Sequence, residues 1–177
     1  PLRTAQITGP GEGHRRGVEA VRRTVRAHME KELGIRVLTG KALENITADS
    51  KAVRGKCGDE TVEAALLLSA IGRKPVTDGL KPENAGLKLN ERGFIPVDDF
   101  GRTNVACIYA IGDVNGRIQL AHNATSQAII AADNACGRKL RKYEVVVPNV
   151  IFTVPEVGTA GLSEDDAKKQ GREIKTG

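Results

Sequence analysis

The clearest chemical signal in the sequence lies where an apolar run, residues 108–111, ends in Gly112 and Asp113. An aspartate at the carboxyl end of a buried strand can accept hydrogen bonds from sugar-like hydroxyls, because ligands of open α/β sheets bind at that edge. A glycine there lets a ligand approach the backbone. A predicted helix begins near Ala121 and His122, and the free N–H groups of its first turn suit an anion. An ordinary turn before an ordinary capped helix is the alternative, and the pattern alone favours neither.

The cysteines offer no redox or metal chemistry. Cys57, Cys107 and Cys136 are far apart, and no two of them form a C-x-x-C or C-x4-C pair. An odd, scattered set argues against a disulfide scaffold and against a zinc site. We therefore expect no metal site and predict a reducing, cytoplasmic compartment.

A glycine-rich opening, within residues 1–16, is predicted to be a flexible loop. Gly9 and Gly11 fit two positions of the dinucleotide fingerprint G-x-G-x-x-G. The third position holds His14, however, and Pro10 lies between the two glycines. The fingerprint also requires a strand before it and a helix after it, so phosphate binding here is disfavoured.

Several segments together resemble one enzyme family. Residues 107–114, Cys-Ile-Tyr-Ala-Ile-Gly-Asp-Val, and residues 119–122, Gln-Leu-Ala-His, are similar to the second FAD motif of flavin-dependent disulfide reductases. The Leu-Ala-His element looks most like dihydrolipoamide dehydrogenase, a class I pyridine nucleotide-disulfide oxidoreductase. Residues 70–75, Ala-Ile-Gly-Arg-Lys-Pro, are similar to the end of that family's NAD domain, and residues 154–163 resemble the opening of its interface domain.

Some positions depart from the family pattern. Val76 replaces a usual Asn, Ala106 and Cys107 replace a usual Pro-Gly, and Gln119 stands where Met is common. The family's first FAD fingerprint, its redox-active C-x4-C, its NAD glycine motif and its terminal His-Glu pair have no counterpart here. We therefore expect a fragment that lacks both ends of such an enzyme and is inactive alone.

The resemblance implies roles for particular residues. Asp113 would bind the ribitol hydroxyls of FAD, and the backbone from Leu120 to His122 would face the pyrimidine edge of the flavin. Gly72 would let the nicotinamide ring of NAD approach. Arg73 is expected to form an ion pair rather than bind a cofactor, and no catalytic residue is expected in this chain. The full set implied for FAD is Gly112, Asp113, Gln119, Leu120, Ala121 and His122.

The same resemblance implies a function for the parent protein. It would oxidise dihydrolipoyl groups through a cysteine pair and FAD, and pass hydride to NAD. Its partners would be a second copy, in a homodimer, and the dihydrolipoyl-bearing protein of a 2-oxo acid dehydrogenase or glycine cleavage complex. The alternatives are a mercuric, glutathione or coenzyme A disulfide reductase, a non-catalytic flavoprotein remnant, or a basic nucleic-acid-binding module.

The elements that must position these residues follow from periodicity and turn signals. Apolar residues from Val18 to Leu33 recur at steps of three or four and predict a helix that Gly34 ends. A second helix is predicted from His122 to Cys136, and Ser163 is a predicted N-cap. Further strands are predicted at residues 35–38, 42–46, 52–57, 61–65 and 94–97, with buried strands at 66–71 and 108–111 and a Gly58-Asp59 hairpin turn.

These elements predict an α/β fold class. Partial Rossmann-like FAD/NAD(P)-binding layers precede the start of an α+β interface, or dimerisation, domain. The predicted bounds are 1–75 for the end of the NAD-binding domain, 76–146 for the central FAD-binding segment and 147–177 for the interface domain. Residues 149–156 are predicted to be a buried strand that lacks its covering partners in this chain, so association through the apolar residues is expected.

Composition excludes other classes. The chain has 177 residues, 40% of them hydrophobic and only 3% aromatic, with a net charge of +5. Its longest apolar run, residues 64–71, is far below the roughly 20 residues that a membrane span requires, and no signal peptide pattern opens the chain. Without aromatic residues between them, the clustered arginines indicate a solvated helix face rather than a nucleic-acid surface. They are Arg15, Arg16, Arg22, Arg23 and Arg26.

Overall fold

A computed structural model describes most of the chain, and the described residues are 3–6, 19–138, 140–143 and 146–175. The chain divides into two compact units. The first comprises residues 1–72, 150–157 and 162–177, and the second comprises residues 73–149 and 158–161.

The first unit opens with a parallel pair of strands and a helix. Strand β1, Arg3–Gln6, pairs in parallel with β2, Ile35–Leu38. Helix α1, Glu19–Lys31, connects them, and Gly34 follows it with a φ of +60°. The predicted helix and the strand at 35–38 are confirmed. The prediction that residues 1–16 form only a loop is wrong at β1, where pairing with β2 supplies the backbone hydrogen bonds; Gly9, Pro10, Gly11 and His14 lie outside the described residues.

A three-stranded antiparallel sheet follows in the same unit. Its strands, in the order β3-β4-β5, are Leu43–Ala48, Val53–Cys57 and Glu60–Ala64. The predicted hairpin is confirmed, since Cys57 pairs with Glu60 across a turn in which Gly58 has a φ of +64°. Glycine adopts that backbone conformation at no steric cost.

The predicted buried strand at residues 66–71 is wrong. This run forms no strand, and Leu66, Leu68 and Ile71 are 88%, 88% and 83% exposed. A strand buried on both faces requires neighbouring strands and covering layers. No described strand pairs with this run, so its apolar side chains lie against solvent.

The second unit is mostly irregular backbone around one long helix. Three short 3-10 helices, Asp78–Leu80, Pro82–Ala85 and Gly112–Asn115, precede helix α2, Ala121–Ala135. The predicted helix at 122–136 is confirmed, and Gly137 follows it with a φ of +68°.

The predicted strands at 94–97 and 108–111 are wrong. Their backbone groups bond to loops rather than to parallel neighbours: the Ile95 amide donates to the Val114 carbonyl, and the Ala110 amide donates to the Gly101 carbonyl. The only ladder contact near them in the described part of the chain is one isolated antiparallel bridge, Arg102 with Tyr109. Ala110 is nevertheless buried.

The last described segment contains β6, Asn149–Ile151, β7, Val157–Thr159, and α3, Glu164–Lys169. The prediction of one buried strand over 149–156 is wrong, because the strand ends at Ile151 and Phe152 is among the exposed apolar residues. The predicted N-cap is confirmed: the Ser163 hydroxyl accepts from the Asp166 amide at 3.1 Å. Among the described residues, no helix has the length and apolar character needed to cross a membrane.

Candidate functional site

The loop from Gly112 to Leu120 holds most of the predicted site residues. Gly112 has a φ of +70°, and a Cβ at this position would lie 3.1 Å from the Cβ of Ala124 in α2. The backbone conformation therefore favours glycine, and a Cβ would fit only if Ala124 moved by a few tenths of an ångström. The 3-10 helix that begins at Gly112 is capped at its C-terminal end by Gly116, which has a φ of +71°.

A buried glutamine on α2 fixes the start of this loop. The Gln127 side chain is 2% exposed, and its Oε1 accepts from the Gly112 amide at 2.8 Å and from Asn115 Nδ2 at 2.8 Å. Asn115 Nδ2 also donates to the Ala110 carbonyl at 3.1 Å. Buried polar groups are costly unless they are hydrogen-bonded, so this network holds the backbone at Ala110, the glycine and the helix together.

A second buried amide fixes the end of the loop. Asn123 Nδ2 donates to the Ile118 carbonyl at 2.9 Å, and Asn123 is buried. Sequence reasoning missed Asn115, Asn123 and Gln127. Asn123 and Gln127 stand four residues apart on the face of α2 that also carries buried Ile130, and polar residues on a buried helix face are the signal that could have revealed them.

Arg73 joins the two ends of the loop. Its Nη1 donates to Asp113 Oδ2 at 2.9 Å, and its Nη2 donates to the Gln119 carbonyl at 2.8 Å. The ion pair expected for Arg73 is therefore confirmed. The side chains of Arg73 and Asp113 are 59% and 49% exposed, so the Asp113 carboxylate is open to a ligand.

The first turn of α2 has open backbone N–H groups. Leu120 is the N-cap residue, and no side chain caps the helix there. The ring of His122 is engaged elsewhere, since its Nε2 lies 2.8 Å from the Pro148 carbonyl oxygen. Ala121 and His122 therefore present backbone amides at the positive end of the helix dipole.

Gly72 is the predicted NAD residue and belongs to the first unit. It is exposed, with a φ of +128°, and no described atom lies within 4 Å of the position that a Cβ would take. The space beside its backbone is open to an incoming group.

A cavity of about 310 Å³ lies in the second unit. Asp99 bridges two cations at its edge, with Oδ1 3.2 Å from Arg117 Nη2 and Oδ2 3.3 Å from Lys142 Nζ. These hydrogen bonds, first from Arg117 and then from Lys142, hold the pKa of Asp99 below its usual range. The lining residues are Asp99, Arg117, Ile118, Asn123, Gln127, Lys142 and Tyr143, and none of them is a predicted FAD residue.

None of the three cysteines forms a disulfide bond. Cys57 is buried, whereas Cys107 and Cys136 are exposed. Within the described ranges, no group of three or more His, Cys, Asp or Glu side chains could hold a metal ion.

Two family models match the chain. Residues 14–128 match the pyridine nucleotide-disulphide oxidoreductase model. Residues 147–177 match the dimerisation domain model of the same family. The first match alone covers more than half of the chain.

Relatives and solved structures agree with the family models. The chain is 42% identical over 142 residues to a dihydrolipoyl dehydrogenase of Chlamydia muridarum, with 80% of this chain and 30% of that protein covered. It is 38% identical over 160 residues to the enzyme of that name from Thermus scotoductus, with 86% and 34% covered. The chain thus spans about a third of the length of these relatives.

Two solved structures have the same fold over most of the chain. The flavoprotein disulfide reductase RclA from Escherichia coli superposes with a TM-score of 0.74 at 30% identity, covering 84% of this chain and 35% of that one. LpdA from Mycobacterium tuberculosis superposes with a TM-score of 0.75 at 30% identity, covering 83% and 32%. The α/β fold class expected from the sequence is confirmed.

Proposed function

The chain belongs to the pyridine nucleotide-disulphide oxidoreductase family, and we propose that the whole protein is a dihydrolipoyl dehydrogenase that uses FAD and NAD. The observation that carries the proposal is the 42% identity over 142 residues to a relative of that name. Because this chain spans only about a third of such relatives, the activity is proposed for the whole protein and not for these residues alone.

The proposed FAD site is the loop and the start of α2. In this site the Asp113 carboxylate would accept a hydrogen bond from a ribitol hydroxyl, and Gly112 would let the ligand approach the backbone. The segment from Gln119 to His122 would face the flavin edge. The residues fit this group in two respects: the Asp113 carboxylate is half exposed, and α2 begins without a capping side chain. When bound, FAD supplies the two-electron redox centre; the helix start would stabilise negative charge on it by roughly 0.3–1 kcal/mol.

Gly72 is proposed for the NAD side. Its φ of +128° and the open space beside it suit the close approach of a planar ring. The domain bounds at 75/76 and 146/147 likewise stay predictions.

The proposed substrate is a dihydrolipoyl group carried by the protein of a 2-oxo acid dehydrogenase or glycine cleavage complex. The match of residues 147–177 to the dimerisation domain supports a homodimer. A reducing cytoplasm is supported by three cysteines that form no disulfide. The likeness to RclA, which is named a flavoprotein disulfide reductase, favours another disulfide reductase as the second candidate.

The test is FAD binding and turnover by the whole protein. Asp113→Ala removes an acceptor and should weaken FAD affinity by roughly 1.5–3 kcal/mol, measured by flavin fluorescence on titration of the apoprotein. Asp59→Ala is the matched control, because Asp59 is an exposed aspartate whose partner, Lys41, lies 3.9 Å away. FAD affinity unchanged by Asp113→Ala would contradict the site.

Turnover separates the two candidate functions. We expect the oxidation of dihydrolipoamide by NAD to be faster than the NADH- or NADPH-dependent reduction of glutathione disulfide, coenzyme A disulfide or mercuric ion. Serine at each of Cys57, Cys107 and Cys136 should leave turnover within a few-fold, because none of them is placed in the site. Faster turnover with another disulfide would favour the second candidate.

A further inference from the structure

One arginine contacts both ends of the proposed flavin loop. Its two terminal nitrogens reach different acceptors, Asp113 Oδ2 at 2.9 Å and the Gln119 carbonyl at 2.8 Å. These acceptors stand six residues apart in the chain and belong to the two parts of the proposed FAD site. A planar guanidinium fixes the separation of two acceptors because its donors form a rigid fork.

We propose that Arg73 is a positioning residue of the FAD site: it holds Asp113 and the Gln119 carbonyl in register and leaves Asp113 Oδ1 directed to the ligand. This inference rests on the proposed function. Arg73 Nη1 donates to Oδ2, while none of the described residues donates to Oδ1. A ligand hydroxyl can therefore bind Oδ1 without displacing the arginine.

The other contacts of the loop do not perform this task. Gln127 and Asn123 bind the Gly112 amide and the Ile118 carbonyl from the side of α2. Neither of them forms a hydrogen bond with the Asp113 carboxylate or the Gln119 carbonyl. In the part of the chain that the structure describes, Arg73 is the one side chain that donates a hydrogen bond to the Asp113 carboxylate.

The ion pair between Arg73 and Asp113 contributes little to stability, so its effect on the loop can be measured without unfolding the protein. The Arg73 and Asp113 side chains are 59% and 49% exposed, and exposed ion pairs contribute little to stability. Loss of Arg73 should therefore leave the fold intact and change the loop. Lysine cannot replace it fully, since a single ammonium does not reproduce the fork.

The experiment is a double-mutant cycle on FAD affinity in the whole protein, with Arg73→Gln, Asp113→Asn and the double variant. We expect Arg73→Gln to weaken FAD binding about tenfold in the wild-type background and less than about twofold in the Asp113→Asn background, because its effect passes through Asp113. Arg73→Lys should fall between wild type and Arg73→Gln. An equal loss in both backgrounds, or no loss in either, would overturn the proposal.

Arg102→Gln is the matched control. Arg102 Nε lies 2.9 Å from Asp98 Oδ2, with side chains 41% and 42% exposed, in the same unit but outside the loop. It should leave FAD affinity unchanged. A loss equal to that of Arg73→Gln would show a general effect of removing surface arginines, and would overturn the positioning role.

Amide hydrogen exchange in the apoprotein separates this proposal from the proposed function. We expect residues 112–120 to exchange at least about threefold faster in Arg73→Gln and at the wild-type rate in Arg102→Gln. If the wild-type protein takes up no FAD, the proposed function fails, and exchange alone decides whether Arg73 braces the loop. Unchanged exchange in Arg73→Gln would overturn the brace.

Discussion

Two apolar runs, residues 66–71 and 108–111, look alike in the sequence and differ in the structure. Each ends in a glycine, Gly72 or Gly112, and each has the pattern of a strand buried on both faces. Neither forms a strand. The first run is largely exposed. The second is hydrogen-bonded to the surrounding chain at Ala110 and continues into a loop that α2 holds through Gln127 and Asn123.

Hydrogen bonds from side chains to the backbone distinguish the second run from the first. The Ala110 carbonyl accepts from Asn115 Nδ2 at 3.1 Å and from the Tyr143 hydroxyl at 3.2 Å, and its amide donates to the Gly101 carbonyl. The Gly112 amide donates to Gln127. An apolar run can thus be held without strand neighbours when buried side-chain amides satisfy its backbone groups.

Among the substitutions considered, the largest loss of stability is expected at Gln127, whose side chain accepts a hydrogen bond from the Gly112 amide. Gln127→Leu keeps the volume but leaves the Gly112 amide without its acceptor and takes one acceptor from Asn115. Since each unsatisfied buried donor costs roughly 1–3 kcal/mol, the free energy of unfolding should fall by about 2–4 kcal/mol. Urea unfolding of the 177-residue chain, followed by circular dichroism, measures it.

Gln170→Leu supplies the control for that change. Gln170 is an exposed glutamine, so the same chemical replacement should alter the free energy of unfolding by less than about 0.5 kcal/mol. Equal effects at the two positions would mean that the second run is no better held than the first.

Alanine substitution at Gly72 and at Gly112 tests whether the backbone after the second run is held more firmly than the backbone after the first. Gly112→Ala forces a side chain into a φ of +70° and within 3.1 Å of the Ala124 Cβ, and should cost roughly 1–3 kcal/mol. Gly72→Ala should cost less than about 1 kcal/mol, because exposed backbone in open space can relax to an ordinary φ. The readout is the denaturant midpoint of each variant, and a greater loss at Gly72 would reverse the comparison.

Sequence patterns predicted the helices and the hairpin correctly, but they did not predict which apolar residues are buried. The steps of three and four around Val25, and Gly34 after them, were enough to place α1 because helix formation and termination are local. The side chain of Leu68 shows the opposite case, because its exposure depends on which strands lie beside it, and periodicity carries no such information.

In the candidate site, too, some features were predicted from the sequence and others were found only in the structure. The sequence pattern led to Asp113 and to the start of α2, and the ion pair of Arg73 was expected. The Gln119 carbonyl as a second partner of Arg73, and Gln127 as the acceptor for the Gly112 amide, were not predicted. Both contacts join residues that are distant in the chain, and their geometry appears only when the loop is folded.

Polar replacement of the first run should have little effect on stability. Leu66→Gln and Leu68→Gln remove side chains that are 88% exposed, so each should change the free energy of unfolding by less than about 0.5 kcal/mol. Both should reduce self-association, since large exposed apolar patches promote it. Light scattering and urea unfolding check the two effects together, and a loss above about 1.5 kcal/mol would show that the run is covered in solution.

Acid titration should show that the turn between β3 and β4, unlike residues 66–71, is held by an ionised carboxylate. Asp49 lies between β3 and β4, where its Oδ1 accepts from the amides of Lys51 and Ala52 at 2.7 Å and 2.9 Å. The Arg54 guanidinium, followed by these two amides, lowers the pKa of Asp49 from 3.8 to about 2. A carboxyl whose pKa is lower in the folded state stabilises the fold above its unfolded pKa, and this contribution is lost as the pH falls from about 4 through about 2.

The amide chemical shifts of Lys51 and Ala52, followed by NMR from pH 5 downwards, should therefore move with a midpoint near 2. In Asp49→Asn, the carboxyl is absent and that step should vanish. Residues 66–71 should show no matching step in either protein, because the group that titrates belongs to the turn of the sheet. A midpoint near 3.8, the ordinary value for aspartate, would mean that Arg54 does not hold this turn in solution.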